Sequence, residues 1–471
     1  MKMLFKSITF AIVMFCFSTM IFANSGPVFW QGYPSSAIMV IENSSPIRVE
    51  NENLVFDFSD SYNASHTING KVTATYEMFN PTNELQAVQM AFPFVGRIDR
   101  LLSEDIVITA DDTVLPYTIY IGDVVNSYKS PFQQDRKASF DFASIVSTIT
   151  ESLYRGKHFT ENEKGKLYTI DIKPSTDQRI NFAVDFNFDY EKTKVLTNGF
   201  NRYERDGKKT KIAAWCYKPE VLEVYVLGED IDLKINAYTD GELKEETDLF
   251  TYQISTKKVD VRSYLMAYIK NNTNGQSDSM ISDTQLYNLY AKSLDEHFTQ
   301  NRGYSSEYDL MAQENYERIL TLVYTVAFPQ NSVKEISVSY RTSGTMDKTE
   351  TVEPLYSFDY IFNAAKNWSD FKNLNIKIIA PEEAPYIVRS NIEWTKEEHK
   401  VYTATLAGLP EDDLSFTLYG KEKITLLDKA GGSLQNTFGY FAPIVVGAIA
   451  LLVSGITIAV VVRKKRNKYL N

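Results

Sequence analysis

Residues whose types and spacing could do chemistry are few in this sequence, and they stand far apart. Asp57-Phe58-Ser59-Asp60-Ser61 has the D-x-S-x-S spacing that can set two hydroxyls and a carboxylate around a hard cation such as Mg²⁺. That use needs the loop to run directly into a helix. Here Tyr62-Asn63 leads instead to Asn69-Gly70, a turn signal, so a polar turn after a strand is expected. The histidines His66, His158, His297 and His399 do not pair at metal-ligand spacing, and the sequence has no H-E-x-x-H, cysteine pair, nucleophile elbow or phosphate loop. The acid pairs Asp111-Asp112 and Asp412-Asp413 fall in expected turns, where carboxylates bond to nearby backbone. Glycosidase carboxylates meet only in the fold, so sequence leaves that chemistry open. Cys216 follows Ala213-Ala214-Trp215 and reads as a small core residue rather than a nucleophile. Trp30, Trp215, Trp368 and Trp394 could stack on sugars, but such rings also build cores, and Trp368 is expected to be buried. The expectation is therefore no catalytic residue, no cofactor and no metal site.

The two ends say more. Lys2 and Lys6 precede a short apolar run from Ile8 to Phe22, the pattern of a secretory signal, with cleavage expected between Ala23 and Asn24. Near the other end, residues 441–462 carry no charge and are rich in Val, Ile, Ala and Leu. As a helix they would reach about 33 Å, enough for a hydrocarbon core of about 30 Å. Arg463, Lys464, Lys465, Arg466 and Lys468 follow at once, a basic cluster that is retained on the cytoplasmic side. The expectation is a single-pass cell-membrane protein, N-terminus outside, with residues 463–471 as a cytoplasmic tail too short for a folded domain.

Net charge over the chain is −11. Lys2, Lys6 and the five tail cations together contribute +7, so −18 remains on the part expected outside the cell. Such an acidic surface argues against nucleic acid as a partner. After signal removal Cys216 is the one cysteine left, which excludes an intrachain disulfide. A long cysteine-poor exported chain suits a bacterial surface protein that relies on core burial.

Strict alternation from Lys71 to Met78 puts Val72, Ala74, Tyr76 and Met78 on one face, and Val88, Met90, Phe92 and Phe94 alternate likewise after Asn80-Pro81-Thr82-Asn83. The pair is expected to form a hairpin. The same period runs through Ile180–Tyr190 and through four further segments between 322 and 379, with Asp206-Gly207 and Asp240-Gly241 as hairpin turns. Ser282-Asp283-Thr284-Gln285 has capping-box spacing ahead of the stripe Leu286, Leu289, Tyr290, Leu294 and Phe298, which predicts a helix. Helices are also expected at 142–154 and 305–320. The fold expected is mainly β: two antiparallel sandwich-like domains with a helical insert, plus one C-terminal transmembrane helix. Its divisions are a signal peptide over 1–23, a β-rich domain over 24–262, a helical connector over 263–320, a second sandwich over 321–430, a flexible linker over 431–440 and a span over 441–462.

On the residues of 71–94, a strand, Asn80-Pro81-Thr82, then a strand ending Phe92-Pro93-Phe94, the chain resembles the β-sandwich module of vault and inter-alpha-trypsin proteins and related bacterial envelope domains. Its layout is similar to single-pass surface proteins of low-GC Gram-positive bacteria. The resemblance covers about 24 residues, brings no catalytic residue with it, and implies a sandwich module in an interaction protein. The role expected is binding, adhesion or envelope structure toward an extracellular protein or glycan. The alternatives are a glycan hydrolase of the envelope, or the extracytoplasmic subunit of a membrane complex or sensor.

Overall fold

Alternating apolar residues must bury one sheet face, and in this chain they do so in two sandwiches joined by helices. A computed structural model describes residues 29–41, 45–60, 66–100, 106–125, 148–272, 281–398 and 400–468. The signal peptide, its Ala23/Asn24 junction, residues 142–147 of an expected helix, and His399 lie outside the described residues. The protein is mainly β, as its patterning predicts, with mostly antiparallel pairing.

In the first sandwich an eight-stranded sheet runs through Arg48–Asp57, Asn69–Phe79 and Val333–Ser343 at its centre. One face of it, with Leu54, Phe56, Val72, Ala74, Tyr76, Ile336 and Val338, is fully buried. On the other face Thr73 meets Ser339 at 3.2 Å and Thr75 meets Ser337 at 3.3 Å, a hydroxyl ladder suited to solvent. Two smaller sheets cover the buried face. One contains Gln86–Gly96 paired with Arg318–Phe328, and the other contains Leu355–Ile361 paired with Leu414–Tyr419. Phe56, Phe58, Phe358, Tyr360 and Phe416 interlock between the layers, with ring centres 4.4 to 6.4 Å apart.

The division at 262/321 does not follow the sheets. Asn69–Phe79 pairs along its whole length with Val333–Ser343, and Gln86–Gly96 with Arg318–Phe328. Strands from both ends of the chain therefore build one sandwich, and the middle of the chain is inserted between them. The expected hairpin is also corrected. Asn69–Phe79 and Gln86–Gly96 belong to opposite layers and share no ladder. The turn at Asn80 is an arch from one sheet to the other, and residues 329–332 make a second arch beside it. Asn80, fully buried, holds the pair: the Glu84, Phe328 and Pro329 carbonyls lie within 3.0 Å of its Nδ2, and its Oδ1 accepts from Thr82.

The inserted sandwich sets Lys164–Pro174, Glu220–Gly228 and Thr193–Asn198 against Ile180–Asn187 and Lys209–Cys216. Asp206 opposes Lys209, so Gly207-Lys208 forms the expected two-residue loop, with Gly207 at φ +59°. Asp240 instead accepts from the amides of Glu242, Lys244 and Glu245 and rounds a longer loop.

Helices Val261–Asn272 and Asp283–Gln300 lie between the sandwiches, burying Tyr264, Leu265, Leu286, Tyr290 and Leu294 in one continuous core with both. Ser282 caps the second helix through the Gln285 amide, as its spacing predicts. The expected helix over 305–320 is only Glu307–Met311 with a 3-10 turn, because Arg318–Phe328 is claimed by a sheet. Residues 149–154 are not helical.

At the C-terminal end the expected flexible linker is a helix, Leu426–Phe438. Thr425 and Asp428 form a capping box at its start, and Lys421 bridges Asp428 at 2.7 Å and Glu353 at 3.0 Å. Gly432 is buried here, and a Cβ on it would lie 2.4 Å from the Glu350 carbonyl. Close backbone approach, rather than suppleness, explains this glycine. A 3-10 turn at Gly439–Phe441 leads into helix Ala442–Lys468, whose segment Ile444–Arg463 is long and apolar enough to cross a membrane and is not buried against the sandwiches. Arg463, Lys464, Lys465, Arg466 and Lys468 occupy its last turns.

Candidate functional site

A surface concavity forms where the second long helix meets the inserted sandwich. Strand Arg202–Asp206 supplies Arg202, Tyr203 and Arg205 along one wall. The end of helix Asp283–Gln300 supplies Gln300, Asn301 and Arg302, the last held at φ +49°. Strand Tyr304–Ser306 and the short helix after it complete the cleft with Tyr304, Ser306, Tyr308 and Asp309. Its volume is about 430 Å³, and it is open to solvent along one side.

Tyr304 is buried and forms the floor. Its hydroxyl meets Thr197 Oγ1 at 2.8 Å, and its ring stacks on Tyr203 with centres 3.9 Å apart. Tyr203 and Tyr308 show 38% and 54% of their surface to solvent, large values for aromatic residues that have cores available to them. Arg205 is fixed over the Phe188 ring at 4.3 Å, donating to the carbonyls of Gly207 and Arg302, all neutral partners. Arg202 is held by Glu204 and by the Gly241 carbonyl. The Arg302 guanidinium makes no hydrogen bond or ion pair among the described residues.

Serine, histidine and aspartate converge at one rim, but not in a catalytic order. Asp309 Oδ2 accepts from the Ser306 amide at 2.8 Å and its hydroxyl at 3.0 Å, capping the short helix. His297 Nε2 is 3.9 Å from Asp309 Oδ1, beyond hydrogen-bond reach, and neither ring nitrogen has a partner among the described residues. The hydroxyls of Ser305 and Ser306 both donate to Asp309 and neither meets His297, so the three do not form a histidine-activated serine.

A second polar group lies inside the first sandwich. Glu52 is fully buried; its Oε1 accepts from Tyr360 Oη at 3.3 Å, and Tyr360 Oη in turn meets Tyr76 Oη at 3.3 Å. Burial pushes the carboxyl up from its ordinary 4.5 to about 8, against the opposing pull of the two tyrosine hydroxyls. Glu52 Oε2 is without a hydrogen-bond partner among the described residues.

The residues singled out from sequence do not converge. Asp57 Oδ1 accepts from the amide and hydroxyl of Ser59, the local turn expected of a strand end. Among the described residues no three His, Cys, Asp or Glu side chains are grouped to hold a metal. His158 bonds Thr299 at 2.9 Å, and His66 is exposed. Cys216 is buried, and burial pushes its thiol up to about 12, so it is unreactive packing. Trp368 is core, with Nε1 donating to the Ile38 carbonyl; Trp215 lies under Arg179, and Trp394 edges onto Phe416. The exposed rings of the cleft are tyrosines instead. Arg202-Tyr203 and Arg302-Gly303-Tyr304 set an arginine near a tyrosine twice, at the stacked pair Tyr203 and Tyr304, whereas nothing in the sequence marks Tyr308.

No family model matches the chain, and no curated protein matches it. Among solved structures it is similar to a candidate nutrient binding protein from Legionella pneumophila, with 10% identity over 88% of this chain and 76% of that one, at a TM-score of 0.32. Likeness at that level transfers neither fold nor ligand.

Proposed function

We propose that this chain is a single-pass surface protein whose exported β-rich part binds an extracellular ligand, protein or glycan, in the cleft between Tyr203 and Tyr308 without turning it over. The cleft carries the reading: two tyrosine rings and the Arg302 guanidinium, unpaired among the described residues, line one concavity, on a chain that also holds an apolar helix of spanning length. Interaction sites concentrate rings and arginines in this way. The basic residues after the span favour a cytoplasmic C-terminus, which leaves both sandwiches outside.

The test is a thermal-shift screen of the full chain in detergent against extracytoplasmic metabolites and glycans, repeated with Tyr308→Ala. A stabilising ligand whose effect the substitution abolishes, and which is recovered unchanged, supports the reading. A ligand recovered as product, or one indifferent to Tyr308, overturns it. Protease added to intact cells carrying a C-terminal tag is expected to digest the sandwiches and spare the tag, and the reverse would overturn the topology.

A further inference from the structure

The lining of the cleft is chemically selective, and resting on the reading of it as a binding site, we infer that its ligand is an acidic saccharide. Three kinds of group meet there. Tyr203 and Tyr308 offer ring surface to solvent, on which the C–H face of a pyranose can stack. Asn201, Gln300, Asn301 and Ser306 supply amides and a hydroxyl, which donate and accept at close range as a polyhydroxyl ligand requires. Arg205 and Arg302 add two guanidiniums with no carboxylate partner among the described residues, Arg202 being paired with Glu204, and Asp309 is the carboxylate in the lining.

Charge narrows the ligand further. The chain is acidic overall, at −11, so two arginines without a carboxylate partner among the described residues, around one concavity, run against the general field. Arg205 spends its hydrogen bonds on neutral carbonyls and keeps its full charge, while Arg302 extends from the loop with its donors unspent among the described residues. A guanidinium presents paired donors that fit a carboxylate in a fork. A neutral sugar would use the rings and amides and leave this charge idle. An anion without a ring would use the arginines and leave the tyrosines idle. A uronic-acid unit uses both.

The experiment is calorimetric titration of the full chain in detergent with a galacturonate oligosaccharide, a galactose oligosaccharide of equal length, and an acidic peptide. The same titrations are repeated with Arg302→Gln and with Tyr308→Ala, both exposed positions. The galacturonate ligand is expected to bind, to weaken about tenfold or more in each variant, and to weaken with added salt, since a charge-assisted bond is at stake. The neutral oligosaccharide is expected to bind at least about tenfold more weakly. Equal binding of the two sugars, lost in Tyr308→Ala, would overturn the acidic class and leave the cleft standing as a binding site. Binding of the peptide alone, or of no probe, would overturn the saccharide. Galacturonate binding unchanged in both variants would overturn the saccharide assignment and the cleft together.

Discussion

Asn80 donates its side-chain amide to the carbonyl of Phe328, 248 residues along the chain, at 3.0 Å. The bond joins the two places where the chain crosses from one layer of the first sandwich to the other. Pro329 and Glu84 carbonyls lie equally close on the solvent side of the arch, while Asn80 and Phe328 are closed to water. Replacing Asn80 by Ala strands the Phe328 carbonyl in the core, at a cost of about 1–3 kcal/mol, while water can reach the other two. Asn80→Ala is therefore expected to lower unfolding free energy by about 2 kcal/mol in urea titration. Asn83→Ala, three residues on and exposed, is expected to change it by under about 0.5 kcal/mol.

Glu52 makes stability depend on pH in a stated direction. Below about 4.5 the carboxyl is protonated in both folded and unfolded chain. Between about 4.5 and 8 the unfolded chain gives up the proton while the folded one keeps it, so stability falls as pH rises, and the fall levels off above about 8. Its full size is on the order of 4 kcal/mol. Glu52→Gln is expected to flatten that slope in urea titrations run across this range. An unchanged slope would mean that other groups set it.

Asp295 organises the entry to the inserted sandwich. Almost fully buried on helix Asp283–Gln300, its carboxylate accepts from Tyr154 Oη at 2.9 Å and from the amides of Lys157 and His158. Asp295→Asn turns an acceptor into a partial donor against three donors, at a cost of about 2–4 kcal/mol. Hydrogen exchange is expected to speed at the Lys157 and His158 amides, with strand Lys164–Pro174 unaffected. Uniform acceleration along the chain would show global loss instead.

Gly432 and Gly431 separate close packing from flexibility. A Cβ at 432 meets backbone of Glu350 and Thr351 at 2.4 Å, whereas at 431 it meets only the Val352 Cγ2 methyl at 2.9 Å. Gly432→Ala is expected to lift helix Leu426–Phe438 from its seat and open residues 420–440 to limited proteolysis. Gly431→Ala, where one side chain can give way, is expected to leave the digestion pattern close to that of the parent.

Strands were legible because alternation needs only neighbours along the chain: Val72, Ala74, Tyr76 and Met78 announce their face without knowing what covers it. Partners were not. Asn80-Pro81 signals a reversal, but a tight turn and an arch share the same local chemistry, and only the Phe328 contact distinguishes them. For the same reason the linear division at 262/321 failed, since the ladder joining 69–79 to 333–343 leaves no mark in either segment. Gly431-Gly432 reads as a supple linker until the backbone of residue 350 is beside it. The cleft was hidden by ring choice. Tryptophans drew attention as sugar platforms, yet Trp368 serves the core, while Tyr203 and Tyr308, about a hundred positions apart, share the open surface.

Helix Leu426–Phe438 also decides how the cleft meets its surroundings. Ten flexible residues would act as a leash with a root-mean-square reach of about 18 Å in every direction. The seated helix is instead a strut of about 20 Å, pinned at its start by Lys421 and at its middle by Gly432, and broken at its end by Gly439 at φ +51°. Rotation between sandwich and span is thus confined to one joint at the foot of the strut. On the topology proposed above, the cleft would then meet a partner by tilting about that joint and not by reaching on a leash.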